Sequence, residues 1–182
     1  RYAEGLRPPV LSETMMSGQA FITPIAPNLD LKAEVSRNRE YGFSLLRDGL
    51  LAGDDKLRLK VAYFDNRYED WIRRDYTRFG AVGVLSFENL DRARFQGWEW
   101  QAGYDLGYAY ASIGHTRFSK MRFCDDGSCE RQVGGLGDWS APNIPPTRKV
   151  TADAGVRLLQ RRLELGARAR HDSDIANVST QE

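Results

Sequence analysis

Lys56-Leu57-Arg58-Leu59-Lys60-Val61-Ala62-Tyr63-Phe64 is the stretch whose reading decides the fold. Leu57, Leu59, Val61 and Tyr63 share one side of an extended chain, and Lys56, Arg58 and Lys60 share the other. A helix would scatter both sets around its axis; only a strand, whose side chains alternate, separates them. The same period recurs outward in both directions. Val35, Tyr41, Phe43 and Leu45 alternate with Glu34, Ser36, Asn38, Glu40 and Gly42, with Arg37 and Arg39 interrupting the apolar set. Trp98, Trp100, Ala102 and Tyr104 alternate with Gly97, Glu99, Gln101 and Gly103. Val150, Ala152, Ala154, Val156 and Leu158 alternate with Thr151, Asp153, Gly155 and Arg157, and Leu163, Leu165, Ala167 and Ala169 with Glu164, Gly166, Arg168 and Arg170.

This periodicity predicts six long strands, at 34–46, 56–69, 89–104, 107–119, 147–159 and 162–171, with residues 1–6 ending a seventh. Most exceed the ~5–6 residues of ordinary strands and the ~9–11 that a tilted strand needs to cross a bilayer. The connections alternate in length. Those at 48–55, 105–107 and 160–161 are short, whereas 7–33, 70–88 and 120–146 are long and rich in glycine, proline and charge. Short turns at one end and long loops at the other fit a membrane barrel with short periplasmic turns and long extracellular loops. Sequence-adjacent strands then pair as an antiparallel meander. The expected fold is therefore all-β: a partial up-and-down transmembrane β-barrel whose apolar face meets the lipid bilayer.

Composition agrees. A mean hydropathy of −0.54 with 41% hydrophobic residues looks like a soluble protein, but alternating strands average out as hydrophilic. No apolar run approaches the ~18 residues of a membrane helix. The polar face carries Glu34, Glu40, Arg58, Lys60, Glu99, Asp153, Glu164 and Arg168, too many charges for a dry core but suited to a wet or plugged lumen. A net charge of +1 without a basic cluster argues against nucleic acid. The start at Arg1 and the polar finish at 177–182 read as cut ends of an internal fragment. Cys124 and Cys129, in Cys-Asp-Asp-Gly-Ser-Cys, lack the partners of a zinc site. A local disulfide is the better reading and implies an oxidising compartment. No Ser/His/Asp set, phosphate-cradling loop or carboxylate pair occurs, so no catalytic residue is assigned and an enzyme is not expected.

Ordered motifs add a resemblance. Arg7-Pro8-Pro9-Val10-Leu11-Ser12-Glu13 resembles the start of an extracellular loop in TonB-dependent receptors of the haem/haemoglobin class. Pro27-Asn28-Leu29, then Glu34 and Glu40-Tyr41-Gly42, resembles its close and the descending strand. Leu57–Phe64 with Trp71-Ile72, Phe95-Gln96-Gly97-Trp98-Glu99, Tyr104-Asp105 and Pro145-Pro146-Thr147-Arg148-Lys149 follow in the same order. The resemblance implies a barrel of about 22 strands around an N-terminal plug, of which this chain supplies about a third without the plug or closing strands. It implies energisation by the TonB system through the missing N-terminal region, and haem, haemoglobin or a haemophore as ligand. Haem is then transported cargo, with no permanently bound cofactor. Within the class, the Cys-to-Cys loop in 120–146 is most similar to haem and haemophore receptors.

The loop between the first two motifs is where such receptors usually carry a haem-ligating histidine. Here it reads Ser12-Glu13-Thr14-Met15-Met16-Ser17-Gly18-Gln19-Ala20-Phe21, with Gln19-Ala20 where the ligand is expected. Arg7, Met15, Met16, Gln19 and Phe21 are the candidate ligand-binding residues. Arg7 can pair with a carboxylate or propionate. The methionines can ligate iron or, more simply, pack on a partner or porphyrin face. His115 and His171 lie on strands with no partner at metal-ligand spacing, so no resident metal site is assigned. A siderophore receptor of the same fold, a passive porin-like channel and a soluble β-rich binding module are the rivals.

Overall fold

The computed structural model describes residues 1–20, 23–51, 53–79, 82–130 and 146–173. Seven strands form one unclosed meander in chain order: β1 (Tyr2–Arg7), β4 (Glu34–Asp48), β5 (Lys56–Phe79), β6 (Val82–Asp105), β7 (Ala109–Asp125), β9 (Arg148–Leu158) and β10 (Leu163–Asp172). Every pair along this path is antiparallel. Three short strands lie off it: β2 (Gly18–Ala20), β3 (Thr23–Ile25) and β8 (Ser128–Glu130). A one-turn helix, α1 (Leu11–Thr14), precedes β2.

The register joins the apolar sets into continuous rows. Phe43, Val61, Trp100 and His115 stand opposite one another, as do Leu45, Leu59, Ala102, Ile113, Ala152 and Ala169. Nothing in the described residues covers them: Phe43 is 67% exposed, Ile113 53% and Leu165 55%. An exposed face this apolar is a liability in water and a requirement in lipid. The opposite face is polar. Lys60 Nζ bridges Glu40 at 3.1 Å and Glu99 at 3.3 Å across β4, β5 and β6. Close packing on it uses glycine where a ring crosses the sheet. The Tyr110 hydroxyl lies 2.6 Å from where a Gly155 Cβ would stand and 2.9 Å from that of Gly166.

Three expectations need correction. Residues 70–88 are not an irregular loop, because β5 continues to Phe79 and β6 starts at Val82. The break in the alternating pattern is local. Asp70 adopts φ 53° and neither it nor Asp91 has a register partner, so Trp71 lies beside Tyr68, at 4.9 Å between rings, instead of on the opposite face. The period continues with its faces exchanged, which a fixed count of two reads as its end. The segment 120–146 likewise opens as strand: β7 runs to Asp125, and β8 folds back with Cys124 opposite Cys129; residues 131–145 fall outside the described set. Finally, the sheet is not wholly antiparallel, since β3 meets β6 in a single parallel bridge, Ile25 opposite Leu85. That bridge comes from a loop lying on the sheet and leaves the meander intact.

Leu59→Arg in the full-length protein is expected to lower the unfolding free energy by ~2–4 kcal/mol, the usual cost of a cation near the bilayer midplane. Chemical denaturation in lipid measures it, and an unchanged free energy would mean that this face is covered by protein.

Candidate ligand-binding loop

Arg7 ends β1 directly opposite Glu34, the first residue of β4, so the chain between them leaves and re-enters the sheet at one point. Pro8 and Pro9 stop β1, because they lack the N–H that a ladder needs. The Arg7 guanidinium then ties the base of the loop. Its Nε lies 2.5 Å from Glu34 Oε2, and Nη1 lies 3.0 Å from both Glu13 oxygens. The bond to Glu34 first, then that to Glu13, raises the Arg7 pKa, against partial burial. Glu13 also accepts the Val10 N–H at 2.9 Å, which caps α1. Glu34 is 6% exposed and accepts the buried Ile72 N–H at 2.8 Å. One buried carboxylate thus connects the loop base to the upper part of β5.

The rest of the loop is sewn to β6. Asn28 Nδ2 donates to the Phe87 carbonyl at 2.9 Å, and the Ala26 N–H donates to Leu85 O at 2.9 Å. Asn89 receives the Lys32 N–H at 2.8 Å and donates to Lys32 O at 3.1 Å and to Asp70 O at 2.7 Å. On the polar face lies a buried apolar cluster of Leu90, Ala93, Phe95, Met121 and Phe123, with Tyr68, Trp71 and Phe118 packed against it. Its rings meet edge-on or tilted at 4.9–6.5 Å, arrangements that add to simple burial.

Of the residues expected to bind ligand, Arg7 is held by Glu34 and Glu13 at the base of the loop. Met15 and Met16 are exposed at the C-terminal end of α1, open to a partner. Gln19 pairs with Pro24 in the β2–β3 hairpin; its side chain and all of Phe21 lie outside the described residues. His115 stacks on Trp100 at 5.1 Å in an outward row, and His171 pairs with Val150 on the edge strand. No cluster of metal-binding side chains occurs among the described residues. Cys124 and Cys129 form the expected disulfide. The roles of Glu34, Asn28 and Asn89 escaped the sequence reading, because a docking carboxylate and two amides carry no periodic signal.

The family model for the TonB-dependent receptor-like β-barrel matches residues 1–181. The chain belongs to that family. It is therefore outer-membrane β-barrel wall, in a family of receptors and transporters. It is similar to the hemin receptor of Yersinia pestis, 33% identical over 128 residues, covering 64% of this chain and 18% of that protein. It is also similar to the ferrienterobactin receptor of Escherichia coli strain K12, 40% identical over 76 residues, covering 40% of this chain and 9% of that protein. The fold resembles the Serratia marcescens hemophore receptor HasR, solved with its hemophore HasA and heme, with a TM-score of 0.71 and 26% identity over 93% of this chain and 28% of that one. The chain thus spans less than a third of each.

Glu34→Ala is expected to release the loop by removing the acceptor of Ile72 N–H and the partner of Arg7. The orphaned amide alone costs ~1–3 kcal/mol. Hydrogen exchange on the full receptor should show faster exchange in residues 8–33 and at Ile72, with residues 150–170 unchanged. Reducing the Cys124–Cys129 bond should leave global unfolding nearly unaltered, because so small a closure removes less chain entropy than a 15-residue loop, for which the effect is ~3 kcal/mol. A large fall in denaturation midpoint with reductant would contradict this.

Proposed function

We propose that the receptor containing this wall segment imports haem, or haem iron from a carrier protein, across the outer membrane. The likeness to a hemin receptor over most of this chain carries the reading, and the fold shared with a hemophore receptor supports it. In this proposal a plug domain upstream closes the lumen and couples to the TonB system. The tied loop faces the cell exterior, and Met15 and Met16 offer polarizable, apolar contact to a porphyrin or its carrier. Axial ligation through a histidine of this loop is not part of the proposal, since residues 7–33 hold none.

A second reading, a ferric siderophore receptor, is favoured by that missing histidine and by the likeness to a ferrienterobactin receptor. The full-length receptor, titrated with haemin and followed by its Soret absorption, is expected to give saturable binding at one equivalent. Met15→Ala/Met16→Ala should weaken it several-fold while leaving the unfolding midpoint unchanged. Absence of any Soret change, together with quenching of tryptophan fluorescence by a ferric catecholate, would instead establish the siderophore reading.

A further inference from the structure

The outer wall changes character abruptly above the apolar rows. On β4 the outward series Leu45, Phe43, Tyr41 gives way to Arg39 and Arg37; on β5, Leu59, Val61, Tyr63 gives way to Asp65 and Arg67. On β6, Trp100 and Trp98 are followed by Gln96, Arg94 and Arg92. β7 joins only because of a bulge. The register shifts between Gln96 and Gly97, leaving Ser119 without a register partner, so that Lys120 and Arg122 stand opposite Gln96 and Arg94 on the outer side. Without that extra residue, Met121 and Phe123 would face out and the two cations would face the lumen.

From Leu57 to Asp65 is eight residue steps, about 27 Å along a strand, or about 20 Å of height at a tilt of 35–45°. The cations therefore begin where the apolar band ends, on the side turned away from the lumen and its cargo. Their carboxylate partners are too few. Asp65 is shared by Arg94 at 2.8 Å and Arg67 at 2.9 Å, while Arg37 pairs with Glu69 and, at 3.7 Å, with Glu4. Arg92, Lys120 and Arg122 have no ion pair among the described residues. Arg37, Arg67, Arg92, Arg94, Lys120 and Arg122 line a groove of about 460 Å³ that reaches up to the Cys124–Cys129 bond.

We propose that this groove binds the phosphorylated headgroup of an outer-leaflet glycolipid. Planar guanidiniums suit a phosphate bidentately, and several fixed cations at headgroup height attract anionic lipid with an energy that grows with each charge. A water-borne cargo would approach through the loops and the lumen, so this site is independent of which ligand the receptor imports. The bulge sets β7 in the register that the groove needs, and the disulfide ties β8 back onto the upper end of β7.

The test is native mass spectrometry of the detergent-purified full receptor with bis-phosphorylated lipid A and with the same lipid enzymatically dephosphorylated. The phosphorylated lipid is expected to bind at least tenfold more tightly. Arg92→Gln/Lys120→Gln/Arg122→Gln should lose affinity on the order of a hundredfold, from roughly a factor of five per surface charge. Arg92→Lys/Arg122→Lys should stay within a few-fold. Heat-modifiable electrophoretic mobility reports folding of each variant, and the comparison of lipids on the unaltered receptor needs no variant. Equal binding of both lipids, full binding by the triple variant, displacement by millimolar inorganic phosphate, or equal binding of phosphatidylglycerol would each overturn the proposal.

Discussion

The structure depends on backbone pairing in a place without water. A segment crossing a bilayer must satisfy its N–H and C=O groups internally, and a sheet can do so only if neighbouring strands run in register over the full crossing. Between Lys56 and Glu69 every residue of β5 has a partner on β6 and another on β4. With the backbone so fixed, side-chain alternation becomes an assignment of solvent: from Leu57 to Tyr63 the odd positions of β5 meet lipid and the even ones the lumen. Charge on the lumen side, such as the Glu40–Lys60–Glu99 bridge, is tolerated because that side is wet.

Alternation also made the membrane-spanning part of the fold readable. Leu57–Tyr63 and Leu163–Ala169 declare their faces in any window of seven residues, and all six long strands lie where the period places them. The reading failed above the membrane, for a physical reason. Asp70 in a left-handed conformation and the extra residue Ser119 each reverse the phase of a strand without ending it. Asp is among the residues that tolerate positive φ, but nothing in Glu69-Asp70-Trp71 distinguishes a phase reversal from the beginning of a loop. The site was less legible still. Arg7 was found for its charge, yet its role follows from Glu34 standing opposite it, and the partners that hold the loop down, Asn28 and Asn89, are isolated amides.

The two phase reversals have a common consequence. Asp70 turns Trp71 inward beside Tyr68 and Phe95, and the bulge at Ser119 turns Met121 and Phe123 inward to the same cluster. Strict alternation would have left these side chains facing outward above the apolar band. Reversal instead builds a dry cluster on the lumen side, and the loop docks on the upper part of β6, one of the strands that carry it. The backbone irregularities are thus the means by which a wall segment acquires a local core, which a single uncovered sheet otherwise lacks.

The bulge at Ser119 also decides which charges of β7 face the membrane. Moving Met121 and Phe123 inward necessarily moves Lys120 and Arg122 outward, opposite Gln96 and Arg94. The inward placement of Met121 and Phe123 and the outward placement of Lys120 and Arg122 are therefore one structural choice, and a substitution that removed the bulge would lose both together. This coupling distinguishes the belt from a chance scatter of surface arginines. Its position is set by the packing of Phe95, Phe118 and Phe123 on the opposite face, so the height of the cations above the apolar band is as well defined as the core itself.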